Sequence, residues 1–268
     1  MPAHAAGAKR VANVEASPER RRDWSAHRRG QLSDAPPPAD LDLRAQRPWY
    51  RAVRDQGETG SCVGWALADS VLRFQLVEAG RLKPSQRLSP RFIWMASKEL
   101  RAQRLTDDAW RPSTFLEEAP TSLKDGLDVA RRFGVVTEPV LRWQGPLNRG
   151  APERFYEHAA RFKLTAYYTL DDDYPETTFA RWRRWLAQHG PVLLLVGLDR
   201  AFIRGDPHLA RYEPRTRPEG HACALVGYTE AGFIIRNSWG RDWGSDGYAT
   251  AAPEWLRRGW SESYGLVV

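Results

Sequence analysis

Cys62, His221 and Asn237 combine three residue types that can run nucleophilic catalysis. A thiol attacks, an imidazole takes and returns a proton, and a carboxamide orients the imidazole. Taken singly, each has a plainer reading. A free cysteine is usually a small buried hydrophobe, a lone histidine is usually structural, and an Asn before a Ser at a strand end is usually a turn residue. Their settings strengthen the case. Cys62 lies in QGETGSCVGWA, where a glycine-punctuated loop meets a helical apolar pattern. A helix N-terminus has unpaired N–H groups and a partial positive charge, which favour a thiolate. His221 opens the strand-like EGHACALVGY, and Asn237 closes FIIRNSWG. Gln56, six residues before Cys62, puts a side-chain amide on the loop leading to the thiol. There it could help the Cys62 backbone N–H bind an oxyanion.

The elements that must position these groups follow from periodicity. From Cys62 to Ala79 the apolar spacing is that of a broad, largely buried helix, with Gly80 as its stop. Ser89-Pro90 reads as the start of a second helix. Ser122 caps a third, from Leu123 to Phe133, ended by Gly134. Leu41 to Tyr50 reads as a short extended segment. After Leu164 the pattern changes: LTAYYTL, PVLLLVGL, HACALVGY, GFIIRNSW and YGLVV read as strands, with a helix from Phe179 to His189 among them. Helices first and strands later predict an α+β fold with the two parts side by side. Residues 1–40, containing Arg20-Arg21-Arg22 and Pro36-Pro37-Pro38 and few large apolar side chains, read as a basic flexible tail. Residues 41–268 read as the folded domain, mainly helical over 41–165 and mainly β over 166–268.

Composition narrows the possibilities. The chain has 268 residues, 42% apolar and 27% charged, an ordinary globular mix that excludes fibrous and globally disordered classes. No apolar run approaches a membrane helix, and the first residues have no apolar core of a secretory signal. The expectation is a cytoplasmic protein, or one exported without a recognisable leader. Net charge is +7, and only five of the 40 basic residues are Lys. The charges are spread along the chain, so a solvated Arg-rich surface is favoured over a nucleic-acid partner. Two cysteines make neither a disulfide framework nor a four-thiolate zinc site. No C-x-x-C, H-E-x-x-H or phosphate-loop motif occurs, so neither metal nor cofactor is expected. Asp171-Asp172-Asp173 reads as a solvated turn. Cys223, two residues beyond His221, shares its face of the strand and reads as a buried structural thiol.

The stretches RDQGETGSCVGWA, GHACALVGY and IIRNSWGRDWGSDGY resemble the papain-like cysteine peptidases. The agreement lies in the step of six from Gln56 to Cys62, the order Cys, His, Asn, and the NSWG..WG..GY run. In its lack of disulfides, and in LSPRFIWMASKEL, the chain is similar to bacterial members. The resemblance implies a two-lobed fold, a helical left lobe and a strand-rich, β-barrel-like right lobe with the cleft between them. It implies that Cys62 is the nucleophile, His221 its acid–base partner, Asn237 the group orienting the His221 ring, and Gln56 an oxyanion donor. Trp239 would shield the His221–Asn237 hydrogen bond. The implied activity is hydrolysis of peptide or protein substrates through a thioester, as an endopeptidase.

The chain departs from the family pattern at three places. Thr59 stands where secreted relatives have a cysteine. Val63 replaces the aromatic residue that usually follows the nucleophile, which bears on the primed-side surface. Pro120-Thr121-Ser122 stands where a glycine pair usually lines the non-primed cleft. Two other readings stay open. The thioester could belong to an amidase, a transamidase or a toxin-like effector, or the domain could be an inert binding module with a basic tail. The oligomeric state is not legible in the sequence.

Overall fold

The apolar run that begins at Cys62 folds into one unbroken helix, α1. It opens with an α-turn, Cys62–Gly64, continues as a π-helical stretch, Trp65–Leu72, and ends α-helical, Arg73–Glu78. Every residue from Cys62 to Leu76 is buried, as expected for a helix apolar on all sides. In this computed structural model residues 14–105, 121–145, 152–216 and 219–268 are described.

Two further helices pack on α1. α2, Pro90–Leu105, starts where expected, and the Ser89 hydroxyl accepts the Phe92 N–H at 3.2 Å. α3, Leu123–Arg132, has a full capping box: Ser122 Oγ accepts the Asp125 N–H and the Asp125 carboxylate accepts the Ser122 N–H. Glycines permit the close approach. A Cβ on Gly126 of α3 would lie 2.9 Å from Val63 Cγ1, and one on Gly64 only 2.5 Å from the Pro90 carbonyl oxygen. Helices α4 (Pro152–Ala160), α5 (Pro175–Gln188), α6 (Arg200–Arg204) and α7 (Pro253–Gly259) follow. α5 begins four residues before the expected Phe179, because Pro175 suits a first helical turn.

The strands are β1 (Leu41–Asp42), β2 (Ala166–Thr169), β3 (Val192–Gly197), β4 (His208–Leu209), β5 (Gly220–Thr229), β6 (Gly232–Arg236), β7 (Tyr248–Ala251) and β8 (Trp260–Val267). They form one mixed sheet in the order β2-β8-β3-β5-β6-β7-β4, with β1 added beside β5. Among the described strands only the β4–β7 pair is parallel, and their sheet stays open. The extended segment expected over Leu41–Tyr50 is extended only through Asp42. The Asp42 carboxylate then caps a helical turn, Leu43–Gln46, by accepting the Arg44 N–H at 2.8 Å. The architecture is α+β and two-lobed, with α1–α3 against one side of the sheet and α1 at the seam.

Residues 14–32 of the segment read as a tail lie along the body. Val14 forms bridges to Thr121 before α3 and to Gly220 at the start of β5, so it spans the two lobes. Further on, Thr169 donates its N–H to the Trp24 carbonyl at 2.9 Å, Ala26 donates to the Thr169 carbonyl at 3.1 Å, and the Ala26 side chain is fully buried. The strap therefore shields the edge of β2. Few apolar residues are needed for this, because polar contacts hold it. Asp23 pairs with Lys124 and accepts the Tyr264 hydroxyl at 2.8 Å.

The tight α1–α3 contact gives a direct test. Gly126→Ala is expected to lower stability by about 1–3 kcal/mol through overpacking against Val63. Urea unfolding reads this as an earlier midpoint, and an unchanged midpoint would contradict the packing described.

Candidate active site

The loop before α1 is stitched to the loop after β6. Gln56 donates its backbone N–H to the Ser238 carbonyl at 2.8 Å, and Gly240 donates to the Arg54 carbonyl at 3.2 Å. The Gln56 side chain is fully buried. Its Oε1 accepts the Ser238 hydroxyl at 2.7 Å, and its Nε2 donates to the Thr59 carbonyl at 2.7 Å. A primary amide has two N–H donors, so one bond to Thr59 leaves a second for another acceptor. Thr59, in the place of the absent cysteine, ties the loop with hydrogen bonds instead. Its hydroxyl donates to the Gln56 carbonyl at 2.8 Å and shares a 2.6 Å bond with Ser61. Cys62 then opens α1, with Ser61 as the residue before the first turn.

His221 sits at the head of β5, and the first turn of α1 packs on that strand. His221 Nε2 lies 2.7 Å from Asn237 Oδ1. The same oxygen accepts the Ser238 backbone N–H at 2.8 Å. The atom facing His221 must therefore be the carboxamide oxygen, and Nε2 must carry the hydrogen. This assigns the tautomer and leaves Nδ1 as the nitrogen for proton exchange. Trp239 covers the pair: its ring centroid lies 4.7 Å from that of His221, and Phe202 closes the other side at 5.5 Å. Both aromatic side chains are buried.

Gln56, Cys62, His221, Asn237 and Trp239 gather at the seam between the lobes. Gln56, Cys62 and His221 are each 0% exposed, Asn237 3% and Trp239 1%. The Val14 crossing adjoins this region, since Gly220 is the neighbour of His221. Cys223 is buried nearby. Burial pushes its thiol pKa up, and the Cys62 charge adds to the shift, so it stays protonated. Two expectations need correction. Val63 does not shape an open surface; it is fully buried against Gly126. The Asp171–Asp173 run is not a freely solvated turn, because Asp171 binds Arg20 at 2.6 Å and Asp172 pairs with Arg181. Pro120 of the Pro120-Thr121-Ser122 run lies outside the described residues. Among the described residues no three His, Cys, Asp or Glu side chains converge as a metal site.

Sequence reasoning missed Arg236, the residue before Asn237. Its guanidinium is buried, and all five N–H donors find acceptors. Nε donates to Ser70 Oγ (3.1 Å), Nη1 to the Tyr50 carbonyl (2.8 Å) and the Tyr248 hydroxyl (2.5 Å), and Nη2 to the Ala52 carbonyl (2.8 Å) and Asp69 Oδ2 (3.1 Å). Asp69 and Ser70 lie on α1, two turns beyond Cys62. Arg87 at 3.0 Å and Arg54 at 3.6 Å also bind Asp69. The signal in the sequence was an Asp inside a mostly apolar helix and an Arg inside an otherwise apolar strand.

The chain is similar to proteins of known family. A family model described as papain family cysteine protease matches residues 129–258, a span that holds His221, Asn237 and Trp239 but not Gln56 or Cys62. Peptidase 1 of Dermatophagoides pteronyssinus is 28% identical over 226 residues, covering 79% of this chain and 60% of that protein. Cathepsin B-like CP3 of Giardia intestinalis is 27% identical over 240 residues, covering 85% and 73%. Among solved structures, xylellain, a cysteine protease from Xylella fastidiosa, superposes with a TM-score of 0.73 at 21% identity, covering 97% of both chains. The chain thus spans about three fifths of the mite relative's length.

The Asp69 cluster predicts a pH effect. Burial favours the neutral acid, but Arg236, Arg87 and Arg54 outweigh it and hold the folded pKa below the ordinary 3.8. A depressed folded pKa contributes stability that is present above the unfolded value and lost as pH falls through the folded one. Asp69→Asn is therefore expected to cost about 3–5 kcal/mol near neutrality. That deficit should narrow below about pH 4 in urea unfolding across a pH series. A deficit that stays constant down to acid pH would refute the charge assignment.

Proposed function

We propose that this chain, papain-like in family and in fold, is a cysteine peptidase that hydrolyses peptide bonds with Cys62 as nucleophile. The observation that carries the reading is the 2.7 Å bond from His221 Nε2–H to Asn237 Oδ1 beneath Trp239, at the strand packed against the first turn of the Cys62 helix. That bond fixes the ring, so that Nδ1 takes the Cys62 proton. The thiolate then attacks the substrate carbonyl carbon. The Cys62 backbone N–H and the second Gln56 Nε2–H stabilise the oxyanion. Collapse of the tetrahedral species breaks the C–N bond, and His221 returns its proton to the leaving amine. A water, deprotonated by His221, attacks the thioester, releases the acid and restores the thiol. Aromatic cover by Trp239 and Phe202 keeps water from competing for the Asn237 oxygen.

In this reading residues 41–268 are the catalytic domain and residues 14–32 an arm across its cleft. Cys62 and His221 are fully covered while Val14 bridges Thr121 and Gly220. A peptide substrate reaches the thiol only after this arm lifts, and the intact chain should hydrolyse peptides slowly.

A peptidyl epoxide is expected to give one adduct, at Cys62, none in Cys62→Ala, and slow labelling in His221→Ala. Gln56→Ala should lower kcat about 10²–10³-fold. Mass spectrometry of the adduct and of peptide products checks both. Labelling at Cys223, or cross-linked instead of cleaved products, would overturn the reading.

A further inference from the structure

The loop from Gln56 to Cys62 holds a set of hydrogen bonds for which the proposed reaction gives no role. Cys62 and Cys223 are both free, so no disulfide ties this loop. Side chains close it instead. Gly57, at φ 66°, turns the chain back, and the half-buried Thr59 then meets Gln56 twice. The Thr59 hydroxyl donates to the Gln56 carbonyl at 2.8 Å, and Gln56 Nε2 donates to the Thr59 carbonyl at 2.7 Å. Each residue thus grips the backbone of the other with its own side chain.

The protons available fix the direction of every bond. A hydroxyl has one hydrogen, and Thr59 spends its own on Gln56. The 2.6 Å bond between Thr59 and Ser61 must therefore be donated by Ser61. A chain of bonds runs from the Ser61 hydroxyl through the Thr59 hydroxyl to the Gln56 carbonyl, and bonds in such a chain strengthen one another. Ser61 is fully buried and immediately precedes Cys62. The Thr59 carbonyl can only accept, so the amide atom facing it is the nitrogen, and Gln56 Oε1 is left to accept the Ser238 hydroxyl at 2.7 Å. A primary amide is planar. With its oxygen held by Ser238 and one N–H held by Thr59, the direction of the second N–H is set in advance.

Of these two anchors, the Thr59 carbonyl has the weaker backbone support. Ser238 is fixed by its own carbonyl, which accepts the Gln56 N–H at 2.8 Å. The Thr59 carbonyl sits in a peptide unit shared with Gly60, a residue type that restrains rotation least. The hydroxyl on the same residue, held between Ser61 and the Gln56 carbonyl, keeps that carbonyl in place. Without it, Gln56 would stay tethered at its oxygen and tilt at its nitrogen. A donor stabilises an oxyanion in full only when it is aimed before the charge develops.

We propose that Thr59 is a positioning residue, whose hydroxyl holds its own carbonyl and so aims the second Gln56 Nε2–H at the oxyanion. The inference rests on the peptidase reading and on Gln56 as its oxyanion donor.

The test uses the full chain. Thr59→Val removes the hydroxyl and keeps the branched shape, Thr59→Ala removes it without apolar bulk, and Thr59→Ser keeps it. Thr59→Val is also made in a Gln56→Ala chain. Each chain is assayed for kcat and KM on a fluorogenic peptide and for the rate at which Cys62 reacts with dipyridyl disulfide. That reagent has no carbonyl, so it reads access and thiolate but not oxyanion binding. The strap covers every variant alike, so ratios to the parent are compared. Thr59→Val and Thr59→Ala are expected to lower kcat at least about tenfold, the scale of one lost hydrogen bond, with KM and the thiol rate within about twofold of the parent. Thr59→Ser should restore kcat, and Thr59→Val should cost nothing further once Gln56 is Ala. An unchanged kcat in both hydroxyl-free chains, a kcat and a thiol rate that fall together, or an undiminished loss in the Gln56→Ala chain would each overturn the proposal. Any of these in a parent that cleaves peptides leaves the peptidase reading standing. A parent whose Cys62 reacts while no peptide is cleaved overturns both.

Discussion

The guanidinium of Arg236 joins the parts on which the site depends. It sits one residue before Asn237 and reaches Asp69 and Ser70, two turns along the helix that begins at Cys62. The same group holds the Tyr50 and Ala52 carbonyls and the Tyr248 hydroxyl. One planar cation therefore sets the position of the helix, the strand and the loop before the helix relative to one another. Its value lies in geometry more than in net energy. Desolvating an arginine and an aspartate is expensive, and a buried pair of this kind barely repays it. Once both are buried, however, neither can shift without stranding the other. Cys62, His221 and Asn237 come from distant stretches of chain, and this interaction keeps their elements in register. Arg87 and Arg54 extend the constraint by anchoring Asp69 to the loops on either side.

How much of this could be read from the residues differs by part. Gln56, Cys62, His221, Asn237 and Trp239 were legible, because each lies in a short motif whose types and spacing reflect a chemical need. The helices at Cys62, Ser89-Pro90 and Ser122 were legible from apolar period, proline and cap. Helices α4, α6 and α7 were not read, being short or weakly periodic, and strand β7 is too brief to stand out. The π-helical stretch of α1 carries no sequence signal, since its residues suit an α-helix equally well. Arg236 and Glu262 were not singled out, because a lone charge within a strand carries no chemical motif. Only the register, which buries them, gives them meaning.

The strap shows why composition misleads in one direction. Absence of large apolar side chains argues against a self-supporting core, but it does not stop a segment from docking onto one that already exists. Residues 14–32 dock with backbone bridges, the buried Ala26 and a few charge-assisted bonds. Such contacts are exchangeable, in contrast to the apolar seam around α1, which is built once during folding. The molecule therefore combines a rigid constellation with a cover held mainly by polar contacts.

That cover is part of the same polypeptide, and this sets the terms on which anything competes with it. An occupant on a short leash acts at an effective concentration on the order of millimolar, whatever the amount of protein present. Dilution cannot loosen it, and neighbouring copies cannot lend it. In the proposed reading the balance between covered and open cleft is therefore private to each molecule, and a single cut in the exposed 33–36 stretch would turn it into an ordinary, dilutable complex.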